Sequence, residues 1–152
     1  RAINATHTVK TYNYSYPFCR MYIRDNIFCK VLHNYFDNTK SSTLRMPNIP
    51  NQYVKDYIRG YFDANGSISG ANNPRFEISS NKYFLEDIRE YLVRDLGISI
   101  TKNSIRHKDK PIFQTLRYGG KYNLQKIYRF LYDGCNIYLP RKKFKFEELL
   151  KI

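Results

Sequence analysis

The sequence is poor in cysteine, histidine and acidic residues, and it has no long apolar run. Its three cysteines and three histidines lack the spacing of a disulfide framework or a zinc finger. No apolar stretch approaches the roughly 18 residues of a membrane span, and the N-terminus lacks a secretion-signal pattern. These absences predict a reduced, intracellular protein, in the cytoplasm, the nucleoid or an organelle, with no membrane partner.

Positive charge is what the sequence has in excess. Lys and Arg total 26 against 13 Asp and Glu, so the formal net charge is +13 at pH 7. Because 42% of the residues are hydrophobic and 16% are aromatic, the chain is not a disordered basic tail. Its 152 residues suit one domain with its own core. A charge excess of this size favours a polyanionic partner, nucleic acid before a membrane surface.

The spacing of apolar residues divides the chain into short strands and helices. The opening part predicts two strands, within 6–14 and 18–23, and a helix that Asp25 caps, with an apolar stripe from Ile27 to Tyr35. A polar, proline-containing linker covers 38–50. The later predicted elements are a helix at 52–64, strands at 67–71 and 75–79, a helix that Ser80 or Asn81 caps and that ends near Leu96 with Gly97 as its C-cap, strands at 98–106 and 112–118, a helix after Gly120, and a last helix from Phe144 to Leu150.

From residue 52 this order is αββαββα, and the opening residues repeat its last half. We therefore predict an α+β fold whose antiparallel sheet carries helices on one face and leaves the other face bare for a ligand. The expected parts are 1–37, the strand–strand–helix tail of a first repeat whose front portion is missing, then the linker 38–50, then a second repeat at 51–152.

Residues 58–68, Ile-Arg-Gly-Tyr-Phe-Asp-Ala-Asn-Gly-Ser-Ile, resemble the motif that names the LAGLIDADG homing endonucleases. The flanking segments are similar to that family as well, namely 38–41 with 46–50, 130–132 and 138–144. The resemblance implies a sheet saddle that lies in the DNA major groove and an intact enzyme that hydrolyses double-stranded DNA at a specific site with Mg²⁺. It also implies a gene carried in an intron, an intein or a phage genome.

The resemblance assigns roles within the motif. In that family two motif helices pack closely at a small residue, here Gly60, so the missing first-repeat portion or a second chain is an expected partner. Each helix ends at a metal-binding acid, but this sequence has Asn65 there. A neutral amide oxygen binds Mg²⁺ more weakly than a carboxylate. Asn65 should therefore impair cleavage while preserving the fold and DNA binding, whether it is natural or a deliberate near-isosteric change.

Two other residues have expected roles, one within the motif and one after the last strand. Asp63 points away from position 65 at 100° of helix per residue, so we expect it to have a structural role at the helix end. The family can place a basic residue near the scissile phosphate, and the resemblance implies Lys121 for that catalytic role.

Strand alternation predicts the DNA contacts. If Ile68, Phe76 and Ile78 face the helices, the alternate side chains face outward. By this alternation the predicted base-contacting residues are Ser67, Ser69, Arg75, Glu77, Ser79, Thr115 and Arg117. The third strand keeps no single alternation, because Ile98, Ile100 and Ile105 differ in parity, so we expect a bulge there, and its predicted contacts are Lys102 and Arg106. In the opening part the predicted contacts are Arg20 and Arg24. Arg75 and Arg117 suit bidentate contacts to guanine. The predicted phosphate contacts are Lys108, Lys110, Lys121, Arg141, Lys142 and Lys143.

Two other functions fit the same basic surface. One is a DNA-binding regulator that kept the saddle and lost the metals. The other is a maturase that binds intron RNA. Steep loss of affinity with added salt is expected for all three functions and does not separate them.

Overall fold

The computed structural model describes residues 9–13, 18–21, 25–35, 41–99, 105–107 and 113–152. Its contacts divide the chain into two compact units, residues 1–38 and 39–152.

The first unit contains two strands and one helix. Strands β1 (Val9–Tyr12) and β2 (Phe18–Met21) pair antiparallel, and helix α1 spans Asn26–Tyr35. The predicted N-cap is confirmed, because Asp25 Oδ1 accepts the backbone N–H groups of Ile27 and Phe28 at 2.9 Å each. The predicted apolar stripe of α1 is not buried, and Ile27 is 77% exposed.

The second unit has the predicted order αββαββα, followed by one more helix. After a short 3₁₀ turn at Ser41–Thr43, the elements are α2 (Asn51–Asn65), β3 (Gly66–Ser69), β4 (Arg75–Ser80), α3 (Lys82–Leu96), β5 (Ile105–His107), β6 (Gln114–Gly119), α4 (Lys121–Tyr132) and α5 (Pro140–Leu150).

The four strands form one antiparallel sheet in the order β3-β4-β6-β5. One face of the sheet is apolar and fully packed: its buried side chains are Ile68, Phe76, Ile78, Leu116 and Tyr118. The Phe62 ring of α2 stacks on Phe76 at 4.8 Å between centroids, and Phe146 of α5 lies 6.4 Å from the same ring. The α+β class with helices on one sheet face is therefore confirmed.

Helix α3 begins and ends where its capping residues predict. Asn81 Oδ1 accepts the backbone N–H of Phe84 at 3.0 Å, which satisfies one free donor of the first turn. Gly97 follows the last residue with φ 56°, a left-handed conformation that glycine adopts without steric cost.

Two predicted boundaries were wrong. Helix α5 begins at Pro140, four residues before Phe144, because proline fits the first helical turn, where its missing N–H costs no hydrogen bond. The third strand does not begin at Ile98, which is buried but lies outside any strand. The strand is described only from Ile105.

The described part of the linker packs on α3. Asn81 Nδ2 donates to the carbonyl of Leu44 at 2.9 Å, and the Met46 N–H donates to Asp87 Oδ2 at 2.9 Å. Arg45 forms an ion pair with the same carboxylate at 2.9 Å. These bonds hold the chain that leads into α2. Within the described segments, no helix is long and apolar enough to cross a membrane.

Candidate nucleic-acid interface

The second face of the sheet carries polar side chains that alternate with the buried apolar ones. Across β3 and β4, Ser67 lies opposite Glu77 and Ser69 opposite Arg75. Across β4 and β6, Glu77 lies opposite Arg117 and Ser79 opposite Thr115. The predicted alternation of the two faces is thus confirmed for these strands. Their function as DNA contacts stays a prediction.

The centre of this polar face is an ion pair. Arg117 Nε donates to Glu77 Oε1, and Ser67 Oγ lies 3.5 Å from Glu77 Oε2. The side chains of Arg117 and Glu77 are 25% and 20% exposed. The two residues, predicted as separate contacts, therefore form one largely buried unit with no net charge.

The two sides of that pair differ. Toward the β3–β4 turn, Arg75 is exposed and lies opposite Gly119, which has no side chain. Toward the other end, Ser79 Oγ and Thr115 Oγ1 are 3.1 Å apart, and Thr115 is 8% exposed. The backbone of Arg106 in β5 lies opposite Thr115. Along this face, exposed Arg75 is thus followed by the neutral Arg117–Glu77 pair and then by the hydroxyl groups of Ser79 and Thr115.

The other predicted contacts are scattered. Arg141 is exposed at the start of α5, and Lys143 lies 3.9 Å from Glu147 and 4.4 Å from the Tyr138 ring centroid. The backbone of Arg20 lies opposite Lys10 in the first unit. Four predicted residues lie outside the described ones, namely Arg24, Lys102, Lys108 and Lys110.

The prediction that Lys142 contacts phosphate was wrong. Lys142 is 6% exposed, and its Nζ donates to the carbonyls of Phe62 and Gly66 at 2.5 Å each. Because α5 begins at Pro140, Lys142 lies on the same helix face as Phe146 and Leu150 and turns into the protein. Burial lowers the pKa of its ammonium group, and the charge of Arg141 lowers it further.

The carboxyl end of α2 is built from Asp63, Asn65 and Gly66. Asp63 accepts the Leu139 N–H at 2.8 Å and the Tyr132 hydroxyl at 3.3 Å, so its predicted structural role is confirmed. Asn65 is exposed. A Cβ at Gly66 would lie 2.1 Å from the Phe62 ring, so only glycine fits where α2 passes into β3.

These residues do not fit a magnesium ion by themselves. Among the described residues, no three His, Cys, Asp or Glu side chains come together as a metal site. Asn65 offers a neutral oxygen, and both oxygens of Asp63 already accept hydrogen bonds. A hard divalent cation prefers several charged oxygen ligands, so we derive no metal-dependent step from this end of the helix.

The structure does not bring Lys121 to this end of α2. Lys121 is exposed and lines a shallow cavity with Asn73, Pro74 and Leu150, beside the β3–β4 turn. That turn lies at the opposite end of β3 from Gly66. The cation next to the end of the motif helix is Lys142. Its signal in the sequence is the spacing 142, 146 and 150 after a proline, which places a lysine on an apolar helix face.

Gly60 lies on the exposed face of α2. No heavy atom of the described residues lies within 4 Å of a Cβ built at this position. The face is therefore open to a second helix, and the interface role of Gly60 stays a prediction.

Sequence reasoning missed the function of Arg59 in the motif. This side chain is 6% exposed, and it donates to the carbonyls of Leu131 at 3.0 Å and Ile137 at 2.8 Å. It also pairs with Asp56 at 2.7 Å. Arg59 thereby binds α2 to the carboxyl end of α4 and to the segment before α5. Its only sequence signal is the i,i+3 spacing from Asp56.

Comparison with known proteins gives one family match. Residues 52–131 match the model of the LAGLIDADG-like domain. Two curated relatives are named probable translation initiation factor IF-2. The protein of Thermococcus kodakarensis is 35% identical over 107 residues, 67% of this chain and 9% of the relative. The protein of Methanocaldococcus jannaschii is 33% identical over 130 residues, 81% of this chain and 10% of the relative. The chain spans about a tenth of these relatives.

Two solved structures are similar. An archaeal intron-encoded homing endonuclease, I-Vdi141I, complexed with DNA, has a TM-score of 0.49 and 20% identity, and the match covers 67% of this chain and 69% of that one. The homing endonuclease I-TnaI has a TM-score of 0.45 and 16% identity over 64% of this chain and 69% of its own.

Proposed function

We propose that this chain recognises double-stranded DNA site-specifically through the polar face of its sheet. The chain belongs to the LAGLIDADG-like domain family, because more than half of its residues match the family model. The observation that carries this proposal is the polar face itself. Charged and hydroxyl side chains of β3, β4 and β6 replace the apolar side chains that a second packing layer would need.

The chemistry of this face suits the edges of base pairs. Arginine donates two parallel N–H groups to guanine, and hydroxyl groups of serine and threonine donate or accept toward either base. Arg75, Arg117, Ser67 and Ser79 supply both kinds of group on neighbouring strands. A net charge of +13 supplies the general attraction to phosphate.

In this proposal the phosphate groups are contacted by exposed cations at the starts of α4 and α5. Lys121 and Arg141 are exposed, whereas Lys142 is withdrawn by burial. Each phosphate contact contributes affinity that salt weakens, and it carries no sequence information. In this proposal the side chains of the sheet provide sequence specificity, and the cations at the helix ends provide affinity.

Cleavage is the part of the family chemistry that we propose this chain has impaired. Asn65 replaces the carboxylate that the family motif provides, and a neutral amide oxygen binds Mg²⁺ more weakly than a carboxylate. This substitution favours a non-cleaving DNA-binding regulator as the second candidate function.

Competition binding tests the proposal. The 152-residue chain is incubated with a randomised duplex library, and the bound fraction is sequenced, with folded intron RNA as competitor. Site-specific recognition predicts enrichment of one duplex sequence that RNA does not displace. Displacement by RNA would favour the maturase, and binding to duplex without any base preference would overturn site-specific recognition.

Asn65→Asp tests whether a carboxylate at position 65 restores cleavage. The variant is incubated with the selected duplex and Mg²⁺, and Asn65→Gln is the matched control because it keeps a neutral amide. We expect both variants to bind the selected duplex, since position 65 is exposed and lies before the paired residues of β3. Cutting by the Asp variant alone would support an enzymatic lineage, and inert variants of both kinds would favour the regulator.

A further inference from the structure

We propose that Arg117 contacts one guanine of the bound duplex and that Glu77 is the positioning residue that fixes its guanidinium for this contact. The inference deepens the proposed function and rests on it. It starts from Glu77, a carboxylate at the centre of the face that would meet a polyanion. A carboxylate there repels phosphate unless a cation neutralises it, and the neighbouring strand supplies Arg117 directly opposite.

The geometry of the pair leaves the recognition edge of Arg117 available. Arginine has five N–H donors in a fixed plane, and Glu77 Oε1 accepts from Nε. No other hydrogen-bond partner of this guanidinium occurs among the described residues. The Nη1 and Nη2 groups therefore remain to donate to the O6 and N7 acceptors of guanine, a bidentate contact for which the planar guanidinium is fixed in geometry and the flexible lysine ammonium is not.

The Arg117 and Glu77 side chains are also positioned by contacts within the protein itself. Both side chains are about three-quarters or more buried, and Ser67 Oγ lies 3.5 Å from the second carboxylate oxygen. A side chain that is already ordered loses less entropy on binding than a free one. Arg75, exposed on the same face, has no ion pair within the described part of the chain, so it is the natural comparison.

Arg117 and Arg75 also differ in the net charge that they bring to the interface. The Arg117–Glu77 pair is neutral as a unit, so it contributes base discrimination and little attraction to phosphate. Removing only the charge of Glu77 would release a cation on the interface. Glu77→Gln is therefore expected to bind random duplex more tightly and to discriminate less, a combination that simple loss of fold does not produce.

The test measures base preference at each position of the selected site and the dependence of affinity on KCl concentration. Wild type is expected to prefer guanine at one position by about 5- to 150-fold. Arg117→Lys should weaken that preference with its salt dependence unchanged, because lysine keeps the charge and loses the fixed planar fork. Glu77→Gln should weaken the same preference and steepen the slope of log K against log salt by about 1. Glu77→Asp should restore the salt slope, and the control Arg75→Lys should leave this position unchanged.

Each outcome has one meaning. Unchanged preference in Arg117→Lys, or loss at a position that is not guanine, would overturn the contact. A Glu77→Gln chain that is less stable but keeps the preference and the slope would show that Glu77 is only structural. If wild type itself selects no duplex sequence, the proposed function fails first, before any variant is measured.

Discussion

Arg59 binds three parts of the second unit at a single buried point. Its guanidinium meets the Leu131 and Ile137 carbonyls and the Asp56 carboxylate. Arg59→Met keeps much of the side-chain volume and removes every one of these bonds. We expect a loss of about 2 to 4 kcal/mol in the free energy of unfolding, because a buried carbonyl would be left without its charged donor.

Urea denaturation of Arg59→Met measures that loss. Arg129→Met is the matched control, since Arg129 is exposed on α4, and a surface change of this kind alters stability by about 0.5 kcal/mol or less. Equal stability of the two variants would show that the Arg59 bonds contribute nothing beyond those of a surface arginine.

At this scale the sequence predicts local features and misses distant ones. The caps Asp25, Asn81 and Gly97 were predictable, because each acts within a few residues of itself. Arg59 and Lys142 were not, because the carbonyl groups to which they donate lie 72 to 80 residues away. Burial of a cation depends on carbonyl groups that only the folded chain brings together.

Two glycines, one within helix α2 and one directly after it, have opposite environments. Gly60 is in mid-helix with nothing within 4 Å of an added Cβ, whereas a Cβ at Gly66 would collide with Phe62. We expect Gly60→Ala to stabilise the chain by up to about 1 kcal/mol, because alanine has the higher helix propensity and fits the open space. Gly66→Ala should destabilise it by about 1 to 3 kcal/mol through overpacking.

Thermal unfolding of the two glycine variants at equal protein concentration gives both values. A loss of stability in Gly60→Ala would mean that a close neighbour occupies this face, as the predicted helix interface requires. In that case the loss should grow with protein concentration if the neighbour is a second chain.

The pattern of apolar and polar residues predicts the order of the helices and strands better than the residues at which they begin and end. Alternation and helical spacing predicted each element from α2 to α4, and polar residues on the outer sheet face follow from the same alternation. The start of α5 was missed because a Tyr-Leu-Pro sequence is also typical of a turn. That one boundary decides whether Lys142 faces solvent or the core, so the error in the element became an error in the site.

Tyrosine ionisation sets the behaviour of the whole molecule at high pH. Burial is the main cause that raises the pKa of Tyr57 to about 12, and burial likewise raises the pKa values of Tyr128 and Tyr132. An unfolded tyrosine loses its proton near pH 10, before the folded one. Unfolding is then linked to proton release, so stability falls as pH rises above 10. The lowered pKa of Lys142 has the opposite effect, but only below its unfolded value of 10.5.

We therefore expect the free energy of unfolding to decline between about pH 10.5 and 12, with Tyr57 contributing about 1 to 2 kcal/mol, less than its full pKa shift would give because it is only half-buried. Tyr57→Phe removes the ionisable hydroxyl and should flatten the decline measured by urea denaturation at pH 9, 10.5 and 11.5. Tyr122→Phe is the control, since Tyr122 is 69% exposed. The two variants would show the same decline if the alkaline loss arose from repulsion across the whole surface, because that repulsion does not depend on which tyrosine is removed.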